Sequence, residues 1–381
     1  MNKVVPMPWQ SHSVSALRHE FVLLATRPGS NLSDLCRRYQ ISRKTAYKWL
    51  ARYRTEGEAA LTDRSRRPKH SPNHCPEALE TLILQTRDQF PDWGGRKLVR
   101  YLHNQGVAPL PSPSTVTEIL RRHGRLTPPE VRTYPWQRFE REHPNALWQM
   151  DFKGHFALAQ GRCYPLTALD DHSRFGLVLH AGKDSQRHSV QMVLTQAFRR
   201  YGLPDQINVD HGPPWGSDPR YPVTRLGAWL IRLGITVTHS RPAHPQTNGK
   251  IERWHRSLDQ EVITRYRHRY HHLKQWQTAF DDWRHLYNTQ RPHEALNLEV
   301  PAAHYAPSER LYPEALPEVL YDEADTLRVV DANGHIHFKG QSFRIGKGLH
   351  RERVALRETQ ADGVWAVFYC HQRVTCISLN T

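Results

Sequence analysis

The chain has 381 residues, 53 Lys and Arg against 37 Asp and Glu, and a formal net charge of +16. That length suggests roughly two to four domains, and no apolar run approaches the roughly 18 residues of a membrane span, so no membrane association is expected. The start, MNKVVPMPWQSHS, has no apolar signal stretch, and the five scattered cysteines (Cys36, Cys75, Cys163, Cys370, Cys376) form no CxxC pair; a reducing cytoplasm is expected and a thiolate zinc site is not.

The charge is uneven. Residues 1–145 hold 24 Lys and Arg against 13 Asp and Glu, a surplus of 11 out of 16. A basic N-terminal third suits a polyanion, because each neutralised phosphate releases counterions.

Residues 12–60 read as a helix–turn–helix module. A helix from Val14 to Thr26 is broken by Gly29-Ser30, and Asn31 or Ser33 caps a short second helix through Leu35 and Tyr39. After Gln40-Ile41, Ser42 is a good N-cap for a third helix, Arg43 to Arg54. It sets apolar Ala46, Trp49 and Leu50 against Arg43, Lys44, Thr45, Lys48 and Arg52, which is the arrangement of a helix that meets base edges and phosphates. The plainer alternative is a three-helix bundle with a solvated basic face. Residues 61–75 form a basic linker whose Arg64, Arg66 and Arg67 suit a phosphate backbone or a minor groove.

Residues 76–125 repeat the pattern. Pro76 opens a helix through Ile83 and Leu84, Pro91 to Gly95 is a turn, and Arg96 to Asn104 is a second helix. Ser112 and Pro113 cap and open a third that ends at Gly124 and exposes Thr115, Thr117 and Arg121. Two tethered modules would raise avidity for double-stranded DNA. Residues 126–145 are a Pro-rich linker.

From Ala146 the pattern becomes strand-like. ALWQMDFKGHF, CYPLTALDDHSRF and GLVLHAGK predict three strands, followed by a helix from Ser185 to Tyr201 and a strand over residues 206–210. Val223 to Leu233 predicts a helix, Thr236 to Ser240 a strand, and the stretch after Arg241 opens a helix running to about Arg269. This order predicts an α/β domain over residues 146–301 with a mixed sheet, matching a ribonuclease H-like fold. Residues 302–325 are a linker. Residues 326–381 show short strands with Asn333-Gly334 and Asp362-Gly363 as hairpin signals, predicting a small all-β, SH3-like barrel.

Three acids fall where chemistry is expected. Asp151 and Asp210 each follow a strand run, and Glu252 lies on the first turn of the helix in RPAHPQTNGKIERWHR. Displacement at phosphorus can use two divalent metals about 3.5–4 Å apart, and Mg²⁺ prefers carboxylate oxygens. Asp151 is expected to bridge two Mg²⁺ ions, which Mn²⁺ can replace, with Asp210 and Glu252 completing their shells. Asn248, Lys250 and Arg253 are candidates to hold DNA beside Glu252, and His211 a supporting residue. Asp170 and Asp171 are nearby acids; Asp171 is expected to shape a turn with Ser173 and Arg174. No GxxxxGK[ST] motif is present, so no ATP is expected.

WQMDF around Asp151, DDHSRF at 170–175, NVDHG at 208–212, HPQTNGKIERWHR at 244–256 and YNTQRPHEALNLEVP at 287–301 together resemble the DDE transposase and retroviral integrase superfamily in its insertion-sequence branch. The resemblance covers residues 15–301. His211 stands where family members often carry Asn, and the 41 residues between Asp210 and Glu252 exceed the common spacing, with WGSDPRYPV at 215–223 as a loop insertion. The resemblance implies binding to the element's terminal inverted repeats, hydrolysis to free 3′-OH ends, strand transfer into target DNA, a dimer or larger assembly on paired ends, and a bacterial, nucleoid-associated location. Three alternatives stay open: a ribonuclease H-type nuclease that cuts without joining, an inactive DNA-binding regulator, and an integrase of a virus-like element.

Overall fold

The computed structural model describes residues 13–64, 75–126, 140–216, 221, 223–240 and 249–380. The chain divides into two compact units, Met1–His74 and Cys75–Thr381. Among the described residues no helix is long and apolar enough to cross a membrane.

The first unit holds α1 (Val14–Ala25), α2 (Leu32–Arg38) and α3 (Arg43–Glu56). Each begins on a polar cap: Ser13 Oγ accepts from Ala16 N, Asn31 Oδ1 from Ser33 N at 3.0 Å, and Ser42 Oγ from Thr45 N at 3.1 Å. Of the two residues considered for α2, Asn31 is the cap; Ser33 Oγ instead accepts from Arg43 Nη2 at 2.7 Å. Phe21, Val22, Cys36, Ala46, Trp49, Leu50 and Leu61 form the core.

The second unit opens with α4 (Glu77–Gln89), α5 (Gly95–Asn104) and α6 (Pro113–Arg122), built around Ile83, Trp93, Leu98, Leu102, Val116 and Ile119. Helices α5 and α6 cross at Gly95, where a Cβ would lie 2.5 Å from the Pro113 carbonyl oxygen and 2.6 Å from Thr117 Oγ1. Leu286 packs against this core, and Arg265 pairs with Asp92 at 2.7 Å. The second helical module therefore shares one compact unit with the α/β core that follows.

That core contains β1 (Trp148–Phe152), the short β2 (Phe156–Ala157), β3 (Arg162–Asp170), β4 (Gly176–Gly182), α7 (Arg187–Tyr201), β5 (Gln206–Val209), α8 (Arg225–Arg232), β6 (Thr236–His239) and α9 (Gly249–Leu258). After α9 come a π-turn (Asp259–Ile263), α10 (Thr264–Tyr266) and α11 (Leu273–Thr289). β1 is antiparallel to β3 and parallel to β5; β4 continues the antiparallel side and β6 the parallel side, and β2 pairs with the start of β3. This is the mixed sheet expected.

Side chains alternate across the sheet. Trp148, Met150, Ala168 and Val178 meet α7 and α8, while Leu169, Leu179 and Ala181 meet Ile251, Trp254, Leu258, Trp276, Phe280 and Trp283 of α9 and α11. Asn288 fastens α11 to the start of β4: its Oδ1 accepts from Gly176 N at 2.8 Å and its Nδ2 donates to Gly176 O at 3.0 Å.

The C-terminal part is all-β: β7 (Thr326–Val329), β8 (His335–Phe338), β9 (Gln341–Arg344), β10 (Arg353–Glu358), β11 (Val364–Tyr369) and β12 (Gln372–Ser378). Its hydrogen bonding runs through an antiparallel sheet in the order β12-β11-β10-β7 and a separate β8–β9 hairpin. Asp362-Gly363 does join a hairpin, β10–β11. Asn333-Gly334 does not, because β7 pairs with β10 rather than β8; the tight hairpin turn is Lys339-Gly340, both with positive φ. Val354, Leu356, Val367 and Tyr369 share one hydrophobic cluster with Trp229 and Val237 of the α/β core. The Gln372 amide pairs with both backbone groups of Val237 on β6, at 2.9 Å each.

A Cβ on Gly176 would lie 2.8 Å from Trp254 Cζ2, a rigid ring 1% exposed. Gly176→Ala is expected to destabilise the second unit by about 1–3 kcal/mol, read as a lower denaturation midpoint; an unchanged midpoint would show that α9 is not held tightly against β4.

Candidate active site

β1 gives Gln149 and Asp151 to the sheet face opposite Trp148 and Met150, because residues two apart share a face. Asp210 directly follows β5, the strand beside β1. Glu252 lies in the first turn of α9, exposed, between buried Ile251 and Trp254. The Asp151 carboxyl is half-buried, and its Oδ1 accepts from Phe152 N at 2.8 Å. Burial pushes it up to about 7, the negative charge of Asp210 adds to this, and that of Glu252 adds less; the Phe152 N–H works in the opposite direction. Both other acids are thus close enough to Asp151 to disfavour its ionised form.

Among the described residues, no three His, Cys, Asp or Glu side chains stand close enough together to hold one ion. Like charges separate where they can, and exposed Glu252 lies at the start of the described part of α9.

The start of α9 is anchored on a buried acid. Asp171, fully buried, accepts from Gln149 Nε2 at 2.8 Å and from Arg141 N at 2.9 Å, and its Oδ2 lies 2.6 Å from Lys250 Nζ. Gln149 Oε1 in turn accepts from Ile251 N at 3.1 Å. Two expectations change. Lys250 turns inward to this ion pair rather than toward DNA; burial draws its ammonium pKa down, and Asp171 opposes that. The turn after β3 is shaped by Asp170, whose Oδ2 accepts from Ser173 N at 2.8 Å and Ser173 Oγ at 2.6 Å. The two neighbouring acids point to opposite faces, so Asp171 goes to α9.

Three residues near the acids went unnoticed in the sequence: Gln149, Thr167 and His255. Thr167 is the register partner of Asp151 across β1 and β3. The available signal was period 2, since a polar residue two positions before Asp151 shares its face. His211 is half-buried beside Asp210, its ring stacked on His239 with centroids 5.1 Å apart. Arg291, buried, donates to Glu261 Oε1 at 3.0 Å and Ser257 Oγ at 3.2 Å, so it serves packing.

Residues 141–245 and 233–301 match two integrase core domain families, and residues 325–381 match the C-terminal domain of the IS481 family transposase. Residues 18–69 match a helix-turn-helix domain and residues 45–120 a homeodomain-like domain. Integrase-core, helix-turn-helix and IS481-type C-terminal segments in one chain are the parts of an insertion-sequence transposase. One relative, the insertion element IS407 uncharacterized 31.7 kDa protein of Burkholderia multivorans, is 26% identical over 61% of this chain and 82% of its own length. Another, the IS476 uncharacterized 39.2 kDa protein of Xanthomonas euvesicatoria, is 28% identical over 44% of this chain and 46% of its own length. A chain of the simian T-cell lymphotropic virus intasome, solved with PP2A regulatory subunit B56 gamma, is 19% identical, with a TM-score of 0.38 over 78% of this chain and 99% of that one.

The residues expected to face DNA differ in exposure and in their partners. Arg43, Lys44 and Lys48 of α3 are exposed, while Thr45 and Arg52 are half-buried, as is Thr117 of α6. Thr117 lies at the α5–α6 crossing, its Oγ1 donating to Pro113 O at 2.8 Å; Thr115 is exposed. Arg64 pairs with Glu56 and Arg121 with Glu118, exposed pairs that cost little to exchange for phosphate. Arg253 is exposed next to Glu252. Arg66, Arg67 and Asn248 lie outside the described residues, as do Asp218 and the Pro-rich loop before α9.

Two outcomes follow from this geometry. The folded Asp151 keeps its proton up to about pH 7, while an unfolded Asp loses it near 3.9. Stability therefore falls as pH rises through that window, and the whole penalty is present above pH 7. Asp151→Asn should raise the melting temperature of metal-free protein at pH 8 by a few degrees and leave it unchanged near pH 4; an equal effect at both pH values counts against a charge origin. Lys250→Ala leaves the buried Asp171 without its cation and should cost about 3 kcal/mol, read by denaturant unfolding. A surface DNA contact would cost nothing.

Proposed function

We propose that this transposase binds the terminal inverted repeats of its element through its helical modules. Its core then hydrolyses one phosphodiester at each end to free a 3′-OH and joins that 3′-OH to target DNA. The observation that supports the reading is a half-buried Asp151 whose carboxyl is raised by burial and by the charges of Asp210 and Glu252, within a segment that matches an integrase core domain.

Three carboxylates with no thiolate among them fit hard divalent cations such as Mg²⁺ or Mn²⁺. The raised Asp151 carboxyl fits the same role, since a neighbouring cation would favour its ionised form. Asp151, Asp210 and Glu252 would hold the ions, which would supply charge stabilisation at phosphorus and an activated attacking oxygen. Asp151 and Asp210 act from neighbouring strands and Glu252 from the helix across them, so the DNA strand is oriented between two rigid elements. Arg253, exposed beside Glu252, is suited to a phosphate. His211, stacked on His239, holds the loop after Asp210. Cutting two ends together implies at least a homodimer on paired ends, in the cytoplasm with the nucleoid; no ATP enters the chemistry.

The test incubates the protein with Mg²⁺ or Mn²⁺, a labelled terminal-repeat duplex and a target plasmid. End cleavage and a joined product are expected. Cleavage without joining would point to a nuclease, and specific binding with neither product to a regulator. Glu252→Gln should lower both chemical steps by at least about a hundredfold while end binding in a gel shift stays intact; an active Glu252→Gln protein overturns the site.

A further inference from the structure

We infer that Thr167 and His255 are positioning residues that fix the helix bearing Glu252 relative to the strand bearing Asp151, an inference that rests on the active-site reading above. Thr167 sits on β3 directly opposite Asp151. Its Oγ1 donates to the backbone oxygen of Asp151 at 2.6 Å, and His255 Nε2 lies 2.7 Å from the same Oγ1. Thr167 is fully buried and His255 is 7% exposed.

The donor directions follow from valence. A carbonyl oxygen only accepts, and a threonine hydroxyl has one hydrogen, so that hydrogen goes to Asp151. Oγ1 then offers a lone pair to His255, whose Nε2 must carry its hydrogen. The imidazole therefore donates from Nε2, and the bonds run along one line: His255 to Thr167 to Asp151.

His255 lies one helical turn beyond Glu252, on a neighbouring part of the α9 surface. On the other side of Glu252, Ile251 N and Lys250 Nζ reach Gln149 and Asp171. Glu252 thus sits between two polar attachments, one ending on Gln149, two residues before Asp151, and the other on the Asp151 carbonyl itself. Beyond these, α9 is held by apolar contact through Ile251, Trp254 and Leu258 and, near its far end, by Arg291 donating to Ser257 Oγ at 3.2 Å. Apolar contact is non-directional and tolerates small sliding; two buried hydrogen bonds do not, because a slipped helix strands their donors. The line therefore holds Glu252 at a set distance from Asp151 against their repulsion.

Four single variants and one double test this: Thr167→Val, which keeps the shape without the hydroxyl, Thr167→Ser, which keeps the hydroxyl, His255→Leu, His255→Gln, which keeps an N–H donor, and Thr167→Val combined with His255→Leu. End cleavage rate, affinity for the terminal duplex, Mn²⁺ affinity by electron paramagnetic resonance, and melting temperature are measured for each. Thr167→Val and His255→Leu are expected to lower the cleavage rate about tenfold or more and weaken Mn²⁺ binding severalfold, with duplex affinity unchanged. Thr167→Ser and His255→Gln should restore most of both, and the Thr167→Val, His255→Leu double variant should be no worse than the poorer single one. A folded Thr167→Val protein with wild-type cleavage and Mn²⁺ affinity overturns the inference while leaving the active-site reading intact. Should Thr167→Val not fold, equal Mn²⁺ affinity in His255→Gln and His255→Leu overturns it. A wild-type protein that neither cleaves nor binds Mn²⁺ overturns the active-site reading and this inference with it.

Discussion

Asp151 holds a half-buried carboxyl to which the negative charges of Asp210 and, less, of Glu252 are unfavourable neighbours. Burial first, and those charges after it, raise the Asp151 carboxyl to about 7 within the folded chain. Asp151 lies in β1 and Asp210 directly follows β5, and the β1–β5 ladder fixes the strands that carry them. The third is on a helix, which a sheet does not hold by backbone pairing. Everything that fixes Glu252 must therefore come from side chains. The aromatic layer of Trp254, Trp276, Phe280 and Trp283 provides adhesion, and the Asn288 clamp on Gly176 holds α11, which backs that layer.

Adhesion alone would leave α9 free to shift, and the buried polar groups address that. Asp170 and Asp171 are both fully buried and divide the work by facing opposite ways. Asp170 closes the β3–β4 turn through Ser173 and also accepts from Asn145 N at 2.7 Å; Asn145 Oδ1 in turn accepts from Trp148 Nε1 at 3.0 Å. Asp171 reaches Gln149 and Lys250 instead. One turn thus links the entry to β1, the face of β1 that bears Asp151, and the first turn of α9. A buried ion pair adds little net stability over an apolar pair of the same shape. What it does supply is register, because a charge in the interior has only one place where it is satisfied.

Much of this was legible locally. Ser42 and Ser112 cap helices within three residues of themselves, and the strand and helix periods of the core read directly. The three acids stood out because each falls at the end or start of an element. What was not legible depends on distant pairing. Lys250 reads as a free cation beside Glu252 until Asp171, 79 positions away, is folded against it. His255 and Thr167 are 88 positions apart. Asp170 and Asp171 are chemically identical neighbours, and only the phase of β3 decides which one faces α9. The Lys339-Gly340 hairpin was overlooked for another reason: Lys rarely takes positive φ, so Asn333-Gly334 looked the stronger turn. The second helical module and the all-β part read as tethered domains, because the contacts that join them to the core, Arg265 to Asp92 and Gln372 to Val237, are between residues with no local pattern.

The two helical modules, so alike in pattern, differ in how they hold charge. In the first unit Arg18, Lys48 and Arg52 lie over the Trp49 ring, 4.0, 4.6 and 5.0 Å from its centroid. A ring face attracts a cation without using its N–H donors, so Lys48 and Arg52 can still donate to phosphate, whereas Arg18 also donates to Leu61 O at 2.9 Å and pairs with Asp63 at 2.8 Å. In the second module Arg121, Arg122 and Arg125 are already paired with Glu118, Glu80 and Asp88. Such a pair must be exchanged, not merely used, when DNA arrives. Counterion release comes from cations that gain phosphate as a new partner. Lys48 and Arg52 of the first unit therefore offer donors without breaking an ion pair, while Arg121, Arg122 and Arg125 of the second module each have an acid to exchange.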